Sequence, residues 1–209
     1  MHPVADDILT FWFETTDLSA KLERRQVWFR STPEFDAEIA RRYTAIHERA
    51  AGGAFDGFVE SRAECLALVL MLDQFPRNIF RGTPRAYGSD AKAREIARIA
   101  LERGHDRGLC PAFRVFLYLP FEHSENLADQ ERAVPLYRAL DEERALNAAI
   151  GHRDAIRRFG RFPHRNAVLG RENTPEEAEY LKAPPSWGLT AAEFAEWERD
   201  KEAREREAG

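Results

Sequence analysis

The chain is poor in cysteine and in long apolar runs, and both shortages limit what kind of protein it can be. Its two cysteines, Cys65 and Cys110, are too few for a disulfide framework and show no Cys-x-x-Cys spacing. The longest apolar run, from Cys65 to Leu72, is far shorter than the ~18 residues that span a bilayer. No basic segment followed by an apolar one opens the sequence, so we expect no signal peptide. The sequence therefore predicts a reduced, cytoplasmic protein that makes no use of a membrane.

A large excess of positive charge is also missing. Lys and Arg number 31 against 36 Asp and Glu, which gives a net charge of −5 and argues against nucleic acid as a partner. Hydrophobic residues make up 44% of the 209 positions, enough for a globular core. We expect a single helical domain over residues 1–209, in which 190–209 form a charged C-terminal helix or tail docked by Phe194 and Trp197.

Strand patterns are absent as well, because no run of β-branched residues alternates with polar ones. The chain is instead rich in Ala, Leu, Glu and Arg, which favour helices. Helix starts are predicted from hydroxyl N-caps or capping boxes, and helix ends from glycine. These positions are Thr32, Ser61, Thr174 and Thr190 for the starts, and Gly104 and Gly160 for the ends. The pattern predicts an all-α fold of antiparallel helix hairpins with about eight or nine helices.

Three prolines are expected to interrupt helices. Pro76 follows the most apolar segment, which reads as the central buried helix, and is expected to end it. Pro120 is expected to kink or end the helix that begins near Pro111, and Pro135 to break or bend a helix over residues 127–139.

The first polar cluster follows the central helix and comprises Asp73, Arg77, Asn78 and Arg81. A carboxylate at the end of so apolar a helix is costly unless it is paired, and any of the three following side chains can be the partner. The cluster is either part of a binding site or an internal ion pair that fixes the turn.

The second polar cluster is Glu122, His123 and Glu125, just beyond Pro120. Two carboxylates beside an imidazole suit acid–base chemistry or a metal, but the spacing matches no metal signature, and we predict no metal and no cofactor. In a purely structural interpretation, Ser124 caps the helix that begins near Leu127 and Glu125 neutralises its dipole.

The third polar cluster lies on and after a late helix. Its members are His152, Arg158, Arg161, His164, Arg165 and Asn166. On a helix His152 faces the core, and Asp154 and Arg158 are spaced to pair. The remaining side chains follow Gly160 and can bind an anion, or they can lie on the surface and pair with the acidic residues that follow.

The first and third clusters share a pattern. Gln74-Phe75-Pro76-Arg77-Asn78 is similar to Arg161-Phe162-Pro163-His164-Arg165-Asn166, and each follows a helix. Two helix ends with the same chemistry can face one another across a cleft, although a chance match of five residues is an open alternative.

These motifs resemble those of a bacterial family known as domain of unknown function 924. The resemblance rests on Phe11-Trp12-Phe13, Trp28-Phe29, the segment from Leu72 to Gly82, the segment from Phe116 to Glu125, and His152 to Asn166. It covers the chain from about Ile8 to Leu181. It implies an all-helical, tetratricopeptide-like fold and implies no activity.

Three functions remain open from the sequence, and whether the protein is an enzyme is left undecided. In the first, Arg77, Arg161 and Arg165 bind a small anion or an acidic peptide, and His123, His164 and Asn166 orient them. In the second, the acidic residues and histidines of the same cleft catalyse acid–base chemistry. In the third, a scaffold protein holds its helix ends with one closed ion network of Asp73, Arg77, His152 and Arg158. The oligomeric state is not predicted.

Overall fold

A computed structural model describes residues 1–208, with side chains described as far as Arg206, so Gly209 of the predicted C-terminal segment lies outside the described residues. The predicted all-helical fold is confirmed: the described residues form helices joined by short connections and no strand. The α-helices are α1 (Pro3–Phe13), α2 (Pro33–Ala51), α3 (Arg62–Val69), α4 (Phe75–Ile79), α5 (Asp90–Glu102), α6 (Pro111–Glu122), α7 (Leu127–Arg138), α8 (Glu143–Phe159), α9 (Pro175–Tyr180) and α10 (Ala191–Ala208). Short 3₁₀ turns cover Gln26–Trp28, Asp56–Glu60, Pro84–Tyr87 and Pro163–Arg165.

The helices α5, α6, α7 and α8 each pack against the next along the chain, as expected for an array of helix hairpins. The central segment, α3 with the turn that follows it, contacts α1, α2, α5 and α6. Every residue from Cys65 to Leu72 is fully buried there, which confirms the prediction of a central buried helix. No helix among residues 1–208 combines the length and apolar character needed to cross a bilayer.

The end of this central segment differs from the prediction. Pro76 does not end the helical path. The backbone widens into a π turn over Leu70–Gln74 and then continues as α4, in which Pro76 occupies one of the first two positions. Proline is tolerated there because the first amides of a helix have no intrahelical acceptor. The path therefore stays helical past Asp73.

The other two prolines also lie inside helices. Pro120 is in the last turn of α6, and Pro135 is inside α7. Pro120 does not end α6, because the helix continues to Glu122 and His123 is its C-cap.

The predicted caps hold with two exceptions. Thr32, Thr174 and Thr190 accept from backbone amides as expected, and Gly104 and Gly160 adopt positive φ at helix ends. The side chain of Ser61 makes no cap hydrogen bond, and the first helix of the central segment starts without the predicted capping box. At α7 it is Asn126, not Ser124, that accepts from the first-turn amide of Ala128.

The C-terminal helix docks through its two aromatic residues, as predicted. Trp197 Nε1 donates to Pro184 O at 2.7 Å. The guanidinium of Arg30 lies 3.9 Å from the centroid of the Phe194 ring. The preceding connector, 184–188, is attached to the helical body by Arg30, which donates to Ser186 Oγ at 3.2 Å, and by Arg81, which donates to Gly188 O at 2.8 Å.

Candidate functional site

The π turn places a fully buried carboxylate, that of Asp73, inside the helical body. In this turn the amide of Phe75 donates to Leu70 O, five residues back. A π turn has poorer packing and hydrogen-bond geometry than an α-helix, and such turns are frequent at functional sites. Its presence in the most apolar part of the chain marks Asp73 as the starting point of the site.

Asp73 is held by three side chains. Its Oδ1 and Oδ2 lie 2.9 and 3.1 Å from Nδ1 of His123, Gln74 Nε2 donates to Oδ2, and Arg77 Nη1 is 3.4 Å from Oδ1. Burial by itself would raise the pKa of Asp73, but the charges of Arg77 and His123 and the hydrogen bonds hold that pKa below its ordinary value. Asp73 is therefore an ionised carboxylate at neutral pH.

His123 is oriented by this carboxylate. Because an ionised carboxylate can only accept, the Nδ1 of His123 carries the proton and Nε2 is left as an acceptor. Burial and the positive charge of Arg77 lower the pKa of His123, against the opposing effect of Asp73. The side chain is 15% exposed, so a neutral imidazole with a free Nε2 lies at the edge of the buried region.

A second carboxylate, Asp90 at the first turn of α5, joins the two helix ends that share a sequence pattern. Both oxygens of Asp90 accept from Arg77 at 3.0 Å. Nη1 of Arg165 lies 3.8 Å from Asp90 Oδ2. The resemblance between the two segments thus corresponds to a structural relationship, because their arginines meet at one carboxylate.

Arg165 is the most unusual charge in the molecule. Its residue is 6% exposed. Its guanidinium stacks between two rings, 4.6 Å from the centroid of Tyr87 and 4.5 Å from that of Phe162. Nε has no acceptor among the described residues, and the 3.8 Å contact to Asp90 is longer than a hydrogen bond. Burial and the charge of Arg77 lower the pKa of Arg165 to about 10, which leaves it positive at neutral pH.

Glu122 and His152 form a neighbouring pair. His152 Nδ1 lies 2.9 Å from Ala148 O and 3.2 Å from Glu122 Oε1. Burial and the charge of Asp73 raise the pKa of Glu122 to about 7, while the adjoining hydroxyl of Tyr137 opposes the rise. Burial lowers the pKa of His152 well below its usual value. The His152 ring lies 6.3 Å from that of His123, centroid to centroid.

Two further rings close this side of the site. Trp187, in the connector before α10, stacks on His152 with centroids 3.8 Å apart. His164 lies 5.6 Å from Trp187 and 5.5 Å from Phe162, centroid to centroid. Its Nδ1 is buried without a partner among the described residues. Burial and Arg165 lower the pKa of His164 to about 3, so the ring is neutral. We call the group Asp73, Arg77, Asp90, Glu122, His123, His152, His164, Arg165 and Trp187 the buried polar site.

Several predicted site residues lie outside this group. Asn78 and Arg81 donate to Asp36 at 2.6 and 2.7 Å, so of the three partners predicted for Asp73 only Arg77 contacts it. Arg158 is on the surface, where it pairs with Glu176 instead of Asp154. These three side chains form ion pairs or hydrogen bonds outside the buried polar site.

Arg161 and Asn166 belong to a separate anchor. Both oxygens of Glu177 accept from Arg161 at 2.7 Å, and Asn166 donates to Asn173 at 2.8 Å. Burial opposes the effect, but the hydrogen bonds from Arg161 hold the pKa of Glu177 down at about 2. The prediction that Arg161 binds a ligand together with Arg165 has no support in this geometry, because Glu177 satisfies the Arg161 guanidinium.

Glu125 closes the loop after α8. It accepts from Phe162 N at 2.8 Å, and Arg171 donates to both of its oxygens at 2.8 and 2.9 Å. It therefore positions the segment that carries His164 and Arg165.

Near the site, the part of the chain that the structure describes offers no activated nucleophile of the usual kind. Ser124 Oγ donates to Asp129 at 2.6 Å, and burial raises the pKa of the Cys65 thiol to about 12. The described residues contain no group of three His, Cys, Asp or Glu side chains arranged to hold a metal ion.

Two residues of the buried polar site, Asp90 and Trp187, and two that contact it, Tyr87 and Tyr137, escape sequence reasoning. Asp90 reads as an ordinary first-turn acid, Tyr87 as part of a loop, Trp187 as part of a connector and Tyr137 as core. The similarity between segments 74–78 and 161–166 was the one indication of such a residue. If the arginines of these segments face each other, an acidic residue must lie between them to offset their charges.

The fold and the site define a class: an all-helical array with a buried polar site built at the ends of its central and late helices. The chain belongs to the family described as bacterial protein of unknown function (DUF924), which matches residues 8–185. It is similar to a protein of unknown function from Agrobacterium tumefaciens, at 44% identity and a TM-score of 0.78, over 87% of this chain and 98% of that one. No curated protein matches the chain.

Proposed function

We propose that this protein binds a small organic anion whose carboxylate or phosphate group is held by Arg165 in the buried polar site. The single observation that supports the proposal is the state of Arg165: buried, charged, stacked between Tyr87 and Phe162, and with Nε unpartnered among the described residues. Leaving a charged group buried without hydrogen bonds costs several kcal/mol of stability, roughly. A bound anion would remove that cost.

The chemistry of the guanidinium selects the ligand class. Its planar donors match the two oxygens of a carboxylate or two oxygens of a phosphate, and charge-assisted bonds of this kind are about twice as strong as neutral ones. The flanking rings fix the guanidinium plane, so little conformational entropy is lost on binding. His164, next to Arg165 in sequence, offers a neutral imidazole to the same ligand.

The closure of the site favours a small ligand over an acidic peptide. Arg165 and His152 are each about 95% buried, and Trp187 covers His152. A peptide chain would need an open groove, whereas a molecule of a few heavy atoms can enter when the Trp187 connector moves. We also propose the cytoplasm as the compartment, for which two unpaired cysteines are the support.

The experiment is a melting-shift screen with inorganic phosphate, acetate, pyruvate and succinate, followed by calorimetry on those that stabilise the protein. A ligand at 100 times its Kd adds roughly 2.7 kcal/mol to the stability. The test variant is Arg165→Met, which keeps the bulk between the two rings; the alanine variant would open a cavity there. Arg158→Met, on the surface, is the matched control.

We expect at least one of these anions to stabilise the native protein and Arg158→Met, and none to stabilise Arg165→Met. Equal stabilisation of both variants would refute Arg165 as the binding residue. Failure of all four anions to shift the melting temperature of the native protein would refute the proposal for carboxylates and phosphate of this size.

The geometry gives less support to the scaffold hypothesis. The single closed network of Asp73, Arg77, His152 and Arg158 is not formed, because His152 contacts Glu122 and Arg158 pairs with Glu176. A network with a purely structural role would also be expected to provide a hydrogen-bond acceptor for Nε of Arg165, which has none among the described residues.

A further inference from the structure

We infer that the site is catalytic and that His123 is its general base, which removes a proton from a carbon atom of a small 2-oxo carboxylate held by Arg165. The inference rests on the proposed anion binding and goes beyond it, because a binding protein needs no proton acceptor. The geometry on which it stands is the Asp73–His123 pair and the position of that pair relative to Arg165.

The first step of the argument is the orientation of the imidazole. Asp73 holds Nδ1 of His123 with both carboxylate oxygens, at 2.9 and 3.1 Å. This fixes the tautomer, leaves the Nε2 lone pair free, and supplies a negative charge that stabilises the imidazolium formed when Nε2 takes a proton. Asp73 is fully buried and lies in the π turn.

The second step is the connection to the anion site. His123 and Arg77 share Asp73, and Arg77 and Arg165 share Asp90. A single chain of side chains thus links the proton acceptor to Arg165, whose Nε has no partner among the described residues. Ring contacts join the same two residues: His123 lies 6.3 Å from His152 and His152 lies 5.4 Å from Phe162, centroid to centroid, and the Arg165 guanidinium lies 4.5 Å from the Phe162 centroid. On this basis the proposal places the substrate between Arg165 and His123.

The third step is the protonation state of the base. The charged and titratable groups around His123 are Asp73 on the π turn, Arg77 on α4, Glu122 on α6, His152 on α8 and Arg165 on the 3₁₀ turn after α8. Burial and the two arginines lower the pKa of His123 and outweigh Asp73. The imidazole is therefore unprotonated at neutral pH and ready to accept a proton.

The fourth step selects the reaction. The hydroxyl of Ser124, which follows His123 in the sequence, donates to Asp129 and is not free to act as a nucleophile. The site is nearly closed to bulk water, which disfavours hydrolysis and suits a carbanion-like intermediate that water would quench. A carbon acid within reach of an imidazole needs a carbonyl next to it, and Arg165 selects molecules that also carry a carboxylate. A 2-oxo carboxylate has both groups.

The chemical step needs no further reactant. The C3–H bond of the substrate breaks and its proton moves to Nε2 of His123. The electron pair of that bond forms the C2=C3 double bond, and the carbonyl pair moves onto the C2 oxygen. The donors of Arg165, which can reach the carboxylate and the adjoining oxygen together, stabilise the enolate charge. Return of the proton to C3, after exchange with solvent, regenerates the oxo acid.

The experiment follows deuterium incorporation into the methyl group of pyruvate in D₂O by ¹H NMR, with the full-length protein. The variants are His123→Asn, whose amide nitrogen can still donate to Asp73 but offers no basic nitrogen, and His123→Gln as a second version should the first not fold. His105→Gln, outside the site and in contact with Val59 O, is the matched control. Pyruvate binding to each protein is measured by calorimetry in parallel.

We expect the native protein and His105→Gln to catalyse exchange and the His123 variants to lose it by about 100-fold or more, the usual size of a general-base contribution. Pyruvate binding by the His123 variants is expected to persist. Asp73→Asn, which no longer fixes the tautomer of His123, is expected to reduce exchange and to move the pH profile of what remains.

Two results would overturn the inference. One is exchange at the native rate in a folded His123 variant. The other is the absence of exchange with native protein. In that case the binding data distinguish the proposed anion binding by Arg165 from the inferred general base His123. Pyruvate binding without exchange leaves the anion site standing and removes the general base. Absence of both removes the 2-oxo acid as substrate and leaves the anion site to the phosphate, acetate and succinate measurements.

Discussion

The indole of Trp187 stacks on the imidazole of His152, with centroids 3.8 Å apart and an angle of 23° between the planes. The approach is possible because the preceding residue of α8 is Gly151. A Cβ at Gly151 would lie 3.0 Å from Cζ2 of Trp187, tighter than most packed contacts, so the indole would have to shift by a few tenths of an ångström. A glycine inside a helix costs stability, and here it makes room for the ring that covers the buried polar site.

The first prediction concerns this cover. In Gly151→Ala the new methyl group pushes the indole of Trp187 away from α8 by a few tenths of an ångström, and we expect a small shift of the tryptophan emission to longer wavelength as the packing of that ring loosens. Helicity measured by circular dichroism should be unchanged, because alanine favours a helix. Gly57→Ala is the control, since a Cβ there meets nothing within 4 Å. Identical emission spectra for the two variants would show that Trp187 tolerates the methyl group and does not pack as described.

The second prediction concerns the fully buried Asp73. Asp73→Ala leaves Arg77 and His123 without their shared partner, and removing one member of a buried charged pair costs about 3–5 kcal/mol. We expect a loss of that size in the free energy of unfolding measured with urea. Asp154→Ala is the control. It breaks a surface contact with Arg153 and should cost less than about 1 kcal/mol. Equal losses in the two variants would contradict the assignment of Asp73 as the centre of the cluster.

The third prediction is a pH dependence caused by Glu122. Burial raises the pKa of Glu122 from 4.5 to about 7, so between these values the folded protein holds a proton that the unfolded chain has released. Because the folded state binds more protons than the unfolded chain in this range, the free energy of unfolding falls as the pH rises. The contribution of Glu122 is fully present below pH 4.5 and is lost as the pH rises through about 7. The loss is about 3 kcal/mol, since each tenfold change in an ionisation constant corresponds to about 1.4 kcal/mol.

Glu122→Gln isolates this effect from other titrating groups, because glutamine keeps the neutral form at every pH. We expect the variant and the native protein to have similar free energies of unfolding at pH 4, and the variant to be the more stable by a few kcal/mol at pH 8, roughly. Urea denaturation at both values measures the difference. If the difference is the same at pH 4 and pH 8, the pKa of Glu122 is not raised in the folded protein.

The fold was predictable from sequence because its signals are local. Apolar periodicity, threonine caps and glycine ends identify helices from neighbouring residues alone, and the run from Cys65 to Leu72 identifies the buried one. The π turn had no such signal. The π turn is stabilised by the contact of Asp73 with His123, which lies 50 residues further along the chain. A pattern of neighbouring residues contains no information about such a contact.

The site was predictable only in part for the same reason. Asp73, Arg77, His123, His152, His164 and Arg165 were all identified as polar groups near helix ends, and the structure brings them together. Arg161 and Asn166 carry the same chemistry but lie close to Glu177, which satisfies them. Which arginine is left unpartnered depends on where the acidic residues of distant segments pack. The ligand-binding role of these residues and the prediction of one domain remain predictions.

The last prediction compares one substitution at two arginines of the same loop. Arg165→Met replaces a buried charge that lacks a hydrogen-bond partner at Nε with an apolar side chain of similar length between Tyr87 and Phe162. Replacing such a charge by an apolar group is often neutral or stabilising, by about 1–4 kcal/mol. We therefore expect the free energy of unfolding of ligand-free Arg165→Met to equal or exceed that of the native protein.

Arg161→Met should do the opposite. Glu177, 2% exposed, would lose the guanidinium that satisfies both of its oxygens, and α9 would lose its attachment to the loop after α8. Because Arg161 is partly exposed, water can replace some of this interaction, and we expect a measurable loss of stability that is smaller than the loss for a fully buried pair. Urea denaturation of both variants, each in a buffer without phosphate or carboxylate, tests the contrast. Destabilisation of Arg165→Met by as much as Arg161→Met would mean that Arg165 contributes to folding, and the argument that its charge is reserved for a ligand would fail.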